Sequence, residues 1–248
     1  MLTRLILTGH AMTTQMAQLE TITNNLANIS TRGYKREELF VNALKKKVSE
    51  LSGPDFAKNM TIPYAGSRID FTQGALEGTN RPLDVAISGD GLFSVETLEG
   101  EAYTRDGRFT LNQEGLLITV DGLPVLGEGG PIEINLQENS AAEILINGSG
   151  EILIDGNVID KLKIVSAQNP SDFSKIGSNL FQLKEGIEAT PLENVELKQG
   201  FLENSNVDSV SEMVAMIDLM HQYEVGQKMI RSQDAILQKA ASEIGRVG

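Results

Sequence analysis

The chain has 248 residues, enough for one large domain or two ordinary ones, and its 40% hydrophobic content can bury a core. Thirty-four acidic residues against 21 basic leave a net charge of −13, which argues against broad binding to nucleic acid or to anionic membranes, because phosphates repel an acidic surface. Cysteine is absent, so disulfides, thiolate zinc sites and cysteine nucleophiles are excluded.

The N-terminal end is helical in period. Leu5, Met12, Leu19 and Leu26 recur every seven residues, and Leu2 and Met16 share a neighbouring row that Gly9 and Thr23 interrupt. The spacing predicts a helix from about residue 3 to Ile29, about 40 Å long. The early Arg4 and a short apolar patch give way to Thr- and Gln-rich sequence, so no secretory signal is expected. No window approaches the roughly 18 apolar residues of a membrane span, and no membrane insertion is expected. By default the chain reads as soluble and cytoplasmic, unless it leaves by another route.

Residues 24–38, NNLANISTRGYKREE, open like a helix and end like a charged turn, with no acid, histidine or cysteine before Glu37. Residues 40–67 hold Gly53-Pro54 and Ile62-Pro63-Tyr64 and read as a linker or extended arm. The run Lys45-Lys46-Lys47 lies in this arm, near Lys35 and Arg36. Without an aromatic platform it reads as a solvated face.

From residue 68 the period becomes two. Short apolar runs are punctuated by Asp106-Gly107, Glu114-Gly115, Asp121-Gly122, Asn147-Gly148 and Asp155-Gly156, as hairpin turns would be. Regular short strands predict an all-β sandwich or barrel-like domain. At the C-terminal end Met216, Tyr223, Ile230, Leu237 and Ile244 recur every seven residues, with Met213 and Met220 beside them. A capping box at Ser209-Val210-Ser211-Glu212 sets the start near 209, and Gly245 is the expected stop. The predicted fold is α plus mainly β. A central all-β domain (68–205) follows a helical segment (1–39) and the arm (40–67), and precedes a second helical segment (206–248). The two long helices are expected to form a coiled-coil-like assembly domain. Pairing inside one monomer is the simpler arrangement. A lone pair leaves its flanks exposed, however, so the seams are expected to meet those of other chains.

Chemistry finds little support. His10 and His221 lack a metal partner at helical spacing, and Glu224 after His221 reads as a surface pair. Asp84, Asp90, Asp106 and Asp121 fall at strand ends or turns, where Asp serves the backbone. There is no calcium-loop pattern, and GEGGP (127–131) lacks phosphate-loop spacing. No catalytic, metal or cofactor residue is assigned.

With chemistry set aside, residues 24–38 become readable. Asn24-Asn25-Leu26-Ala27-Asn28, then Thr31, Gly33, Tyr34 and Lys35, resemble the N-terminal signature of the bacterial flagellar rod and hook protein family, with Ser30 where Asn is usual and Tyr34 where Phe is common. RPLDVAISGDGLFSV (81–95), YTRDGRFTLNQEGLLIT (103–119), GLPVLG (122–127) and GFLENSNVDSVSEMVAMIDLMHQYEVGQKMI (200–230) follow in the family's order. Within the family, Arg81-Pro82-Leu83-Asp84, VLGEGGPIEI and the short length most resemble the proximal rod. MIRSQDAILQKA (229–240) leans toward the distal rod.

The resemblance implies an axial structural subunit that polymerises into a helical tube carrying torque from motor to hook. Its implied partners are copies of itself, other axial proteins and the flagellar type III export apparatus. The implied place is the rod, in the periplasmic space. The expected subunit interface comprises Leu5, Met12, Leu19, Asn24, Asn25, Leu26, Asn28, Thr31, Gly33 and Tyr34 at one end, and Met213, Met216, Met220, Tyr223, Ile230, Leu237 and Ile244 at the other. The asparagines would fix register between helices, Gly33 would end the first helix, and Lys35 and Arg36 would sit at its negative pole. Without partners the terminal helices are expected to be largely disordered in the free monomer. A reading from another class is a secreted β-domain enzyme or carbohydrate-binding module with helical oligomerisation tails.

Overall fold

A computed structural model describes residues 2–42, 64–134, 144–166, 169–177, 179–192 and 194–244. Two long helices flank a mainly β region, α1 at Leu2–Ala27 and α2 at Ser209–Ile244. The chain divides into two compact units. One contains Met1–Leu26, Glu37–Arg68 and Asp208–Gly248, and the other Ala27–Arg36 and Ile69–Val207.

In the helical unit, α2 starts because Asp208 caps it. Its carboxylate accepts the backbone N–H of Val210 at 3.1 Å and the hydroxyl of Ser211 at 2.7 Å. The cap is one residue earlier than the expected capping box. Gly245 lies outside the described residues. Along α2, Met216, Leu219, Tyr223, Gly226, Ile230 and Gln233 form a half-buried stripe at alternating spacings of three and four. A second apolar row lies on the opposite side and is open to solvent: Val210, Val214, Ile217, Val225, Met229 and Ile236 are each about half exposed or more. Helix α1 touches α2 within the chain. Gln15 Nε2 donates to Gln222 Oε1 at 3.4 Å, and Met12 lies over Gly226, where a Cβ would stand 3.4 Å from its Cγ. Contact of α1 with α2 inside one chain is thus realised, and an apolar row is still left outside.

The two ends of the expected arm are strands, Glu37–Asn42 and Tyr64–Ile69, which pair with each other. The lysine run falls outside the described residues.

In the β unit the largest sheet among the described residues is antiparallel and five-stranded. Its order is Ile164–Val165, Leu92–Thr97, Gly100–Thr104, Leu180–Leu183 and Phe173–Gly177. Period-two alternation buries both faces. Phe93 and Val95 enter one cluster with Val85, Phe109, Leu117 and Ile152, while Leu92 enters another with Tyr103, Phe173 and Phe181. Phe71 sits edge-on to Phe173 and Phe181, with centroids 5.5 and 5.2 Å apart.

Most of the Gly-marked turns join adjacent strands, as at Leu117 after Phe109–Leu111 and at Asn157 after Glu151–Ile154. Asp106-Gly107 does not make a hairpin. The strands on its two sides pair with different neighbours. Gly107 is needed for close approach instead, because a Cβ there would stand 1.7 Å from the Val85 carbonyl oxygen.

Candidate functional site

The corner following α1, Ala27–Arg36, belongs to the β unit and carries most of the N-terminal signature. Thr31 closes it locally. Its N–H donates to the Asn28 carbonyl and its hydroxyl to Asn28 Oδ1, both at 3.1 Å. Gly33 has φ +66° and donates its N–H to the Glu203 carbonyl at 2.8 Å. A Cβ on Gly33 would lie 2.5 Å from the Arg105 carbonyl carbon, so only glycine fits. Tyr34 is buried, and the Lys175 ammonium stands 3.7 Å from its ring centroid.

Lys35 follows and is 1% exposed. Its ammonium donates to Glu203 Oε1 at 2.6 Å and to the carbonyls of Thr72 and Phe71 at 2.8 and 3.3 Å. Arg105 Nε donates to the other Glu203 oxygen at 2.5 Å. Its remaining nitrogens reach the carbonyls of Ile87, Gly89 and Gly91. Gly74 N–H adds a third donor to Glu203 at 2.8 Å. One carboxylate thus holds two buried cations, and backbone carbonyls accept from the rest of the Lys35 ammonium and from both terminal nitrogens of Arg105. In such a network a buried charge left without its counter-charge is the costly defect. Burial pushes the Lys35 ammonium below its ordinary pKa, Glu203 pulls it back up, and the Arg105 charge adds a further downward push.

Asn206 clamps the same corner. Its Oδ1 accepts the Arg36 N–H at 2.7 Å, and its Nδ2 donates to the carbonyls of Asp70 and Thr72 at 2.8 and 3.0 Å. On the outer side Arg32 pairs with Glu77 at 2.6 Å and also donates to Asn204. Asn179 Nδ2 donates to the Arg32 carbonyl at 2.8 Å.

The predicted site residues therefore separate. Gly33 and Tyr34 are buried in the β unit with Lys35, and Asn28 and Thr31 form the turn that leads to them. Asn25, in the helical unit, is buried too. It pairs like a strand neighbour with Glu37, donating to its carbonyl at 2.9 Å and accepting its N–H at 3.0 Å. Asn24 is exposed, and Leu19 and Leu26 are half-buried. Met12, Met216, Tyr223 and Ile230 are half-buried, while Met213 and Met220 are 48% and 50% exposed. Leu5 lies on α1, and Leu237 and Ile244 on α2. Lys35, expected near the end of α1, pairs with Glu203 inside the β unit. Arg105, Glu203 and Asn206 were not singled out as site residues, although the quoted runs YTRDG and GFLENSN contain them.

Among the described residues no group of three His, Asp or Glu side chains could hold a metal ion, and no helix is long and apolar enough to cross a membrane. Fold and corner together define a class: a mainly β protein with two long terminal helices, whose three sequence signatures converge on one buried lock. Family models match in the same places. The flagella basal body rod protein model covers residues 8–35, the flagellar hook protein FlgE/F/G D1 domain 86–154, and the flagellar basal body rod FlgEFG protein C-terminal model 198–243. The chain is 33% identical over 232 residues to the flagellar basal-body rod protein FlgF of Caulobacter vibrioides, with 93% of each chain covered. It is 34% identical over 247 residues to FlgG of Bacillus subtilis, with 90% of this chain and 91% of the relative covered. To FlgG of Buchnera aphidicola subsp. Acyrthosiphon pisum it is 33% identical over 247 residues, covering 91% and 93%. The chain belongs to the flagellar basal-body rod protein family.

Proposed function

We propose that this chain is a structural subunit of the flagellar rod, in its proximal segment, that joins copies of itself and other axial proteins through α1 and α2. The observation that carries this reading is the outer apolar row of α2. A helix already half-covered on one stripe exposes Val210, Val214, Ile217, Val225, Met229 and Ile236 on another. Solvated rows of this length mark protein contacts. Contacts between different patches of like subunits propagate as a helix rather than closing as a ring, which suits a tube that carries torque. Its role is architectural, with no catalytic step. Asn24, Leu26, Met213 and Met220 join the outer row as interface residues, while Asn25, Gly33 and Tyr34 shape the subunit from within. Export by the flagellar type III apparatus would deliver it to the periplasmic rod. The distal rod is the alternative position. Restoring motility to strains lacking either the FlgF or the FlgG relative decides between positions.

Sedimentation velocity tests the interface. Full-length protein is expected to form large, size-heterogeneous assemblies. The full-length variant carrying Val214→Glu, Ile217→Glu and Val225→Glu is expected to stay monomeric. Equal behaviour of the two chains would overturn the reading.

A further inference from the structure

The β unit carries an apolar knob flanked by acids and, at other residues, an open groove with an arginine at its lip. Leu98 is the knob. It sits at the tip of the hairpin joining Leu92–Thr97 to Gly100–Thr104 and is completely exposed. The tip is preorganised, since Thr97 Oγ1 donates to the Gly100 carbonyl at 2.7 Å and accepts the Glu99 N–H at 3.3 Å. Acids surround it. Glu99 is exposed beside Leu98, and Glu96 stands directly opposite Glu101 across the strand pair. Like charges placed so are unfavourable in the isolated chain. Lys163 answers Glu101 at 2.8 Å, and a cation from outside would relieve Glu96 and Glu99.

The groove has a volume of about 530 Å³ and is lined by Arg81, Pro82, Ile144, Leu145, Gln199 and Gly200. Its walls are held together by Gln199, whose Nε2 donates to the carbonyls of Pro82 and Ile144, both at 2.8 Å. Leu145 is 48% exposed and heads an apolar row across the sheet, since Leu145 pairs with Leu153 and Leu153 with Val158. At the lip the Arg81 side chain is 67% exposed, with buried Asp84 4.0 Å from its Nε.

We propose that Leu98 of one copy of this chain seats in this groove of a second copy, with Glu96 and Glu99 facing Arg81. Knob and groove are different patches, so each docked copy leaves its own knob free and the contact repeats along a filament. The proposal rests on the rod-subunit reading above and adds a contact between β units that α1 and α2 do not make.

The absence of native cysteine makes the test clean. Leu98→Cys and Leu145→Cys are introduced together into the full-length chain, and the protein is oxidised. Both positions are exposed, so neither substitution threatens the fold. The expected product is a ladder of disulfide-linked multimers, whereas each single variant yields dimers at most. Arg81→Glu is expected to slow linkage about tenfold or more, and Glu99→Arg in the same chain to restore it. No ladder, or a ladder indifferent to Arg81→Glu, overturns the docking. Sedimentation of the same samples separates the two readings. Assemblies without the ladder leave the helix interface standing and sink the knob. A ladder from chains whose assembly ignores the α2 row does the reverse.

Discussion

A methyl group on Gly33 would collide with the backbone of Arg105 while forcing a left-handed conformation on a residue with a side chain. Gly33→Ala is therefore expected to cost roughly 2–5 kcal/mol, read as a lower denaturation midpoint with an unchanged slope. The buried lock makes a sharper statement about charge. Glu203→Gln leaves Lys35 and Arg105 buried without their anion and is expected to destabilise by about 3–5 kcal/mol. Lys35→Met removes one cation and leaves Glu203 bound to Arg105 and Gly74, so its cost is expected to be much smaller. Equal losses for the two variants would refute this account of the lock. A linkage consequence follows for Lys35. Its pKa in the folded chain is depressed below the ordinary value of 10.5, so between the two the unfolded chain binds more protons. This residue therefore makes stability rise with pH through that window, and the stability difference between the parent chain and Lys35→Met is expected to change there in that sense. The glycine and lysine were legible in the signature. Their partner was not, because Glu203 lies 168 residues away and looks like any other acid in an acidic chain.

The helices were the most legible elements, since a seven-residue period cannot be a strand. The period also carried the stripe, as Met216, Tyr223 and Ile230 are half-covered. What it passed over was the second row, whose members Val214, Ile217 and Val225 share a helix face at spacings of three and eight rather than repeating every seven. The turn glycines fared unevenly. Dipeptides ending in glycine marked hairpins where the chain reverses, but Asp106-Gly107 answers to the distant carbonyl of Val85, which no local pattern reports. At the start of α2 the cap makes its own prediction. Hydrogen bonds from Ser211 and Val210 hold the Asp208 carboxyl below its usual pKa of 3.8. Its contribution to the helix is complete above that value and is lost as pH falls below it. Asp208→Ala is expected to fray the first turn at neutral pH, seen as faster amide exchange at Val210 and Glu212, and to remove this acid dependence.

At the scale of the whole molecule, the sequence signatures describe architecture. Each of three far-separated runs supplies one member of the lock: Lys35 from the first, Arg105 from the second, Glu203 from the third. A chain that ends before residue 203 can form much of the five-stranded sheet, whose last strand ends at Leu183, yet it cannot close the corner. The corner is thus a test of completeness. A subunit synthesised from its N-terminus cannot close this corner until the last strand of the β unit arrives, and a chain broken before Glu203 cannot close it at all. In a polymer where one defective part weakens every neighbour, the lock makes each subunit present its β unit through Glu203 before its corner is set.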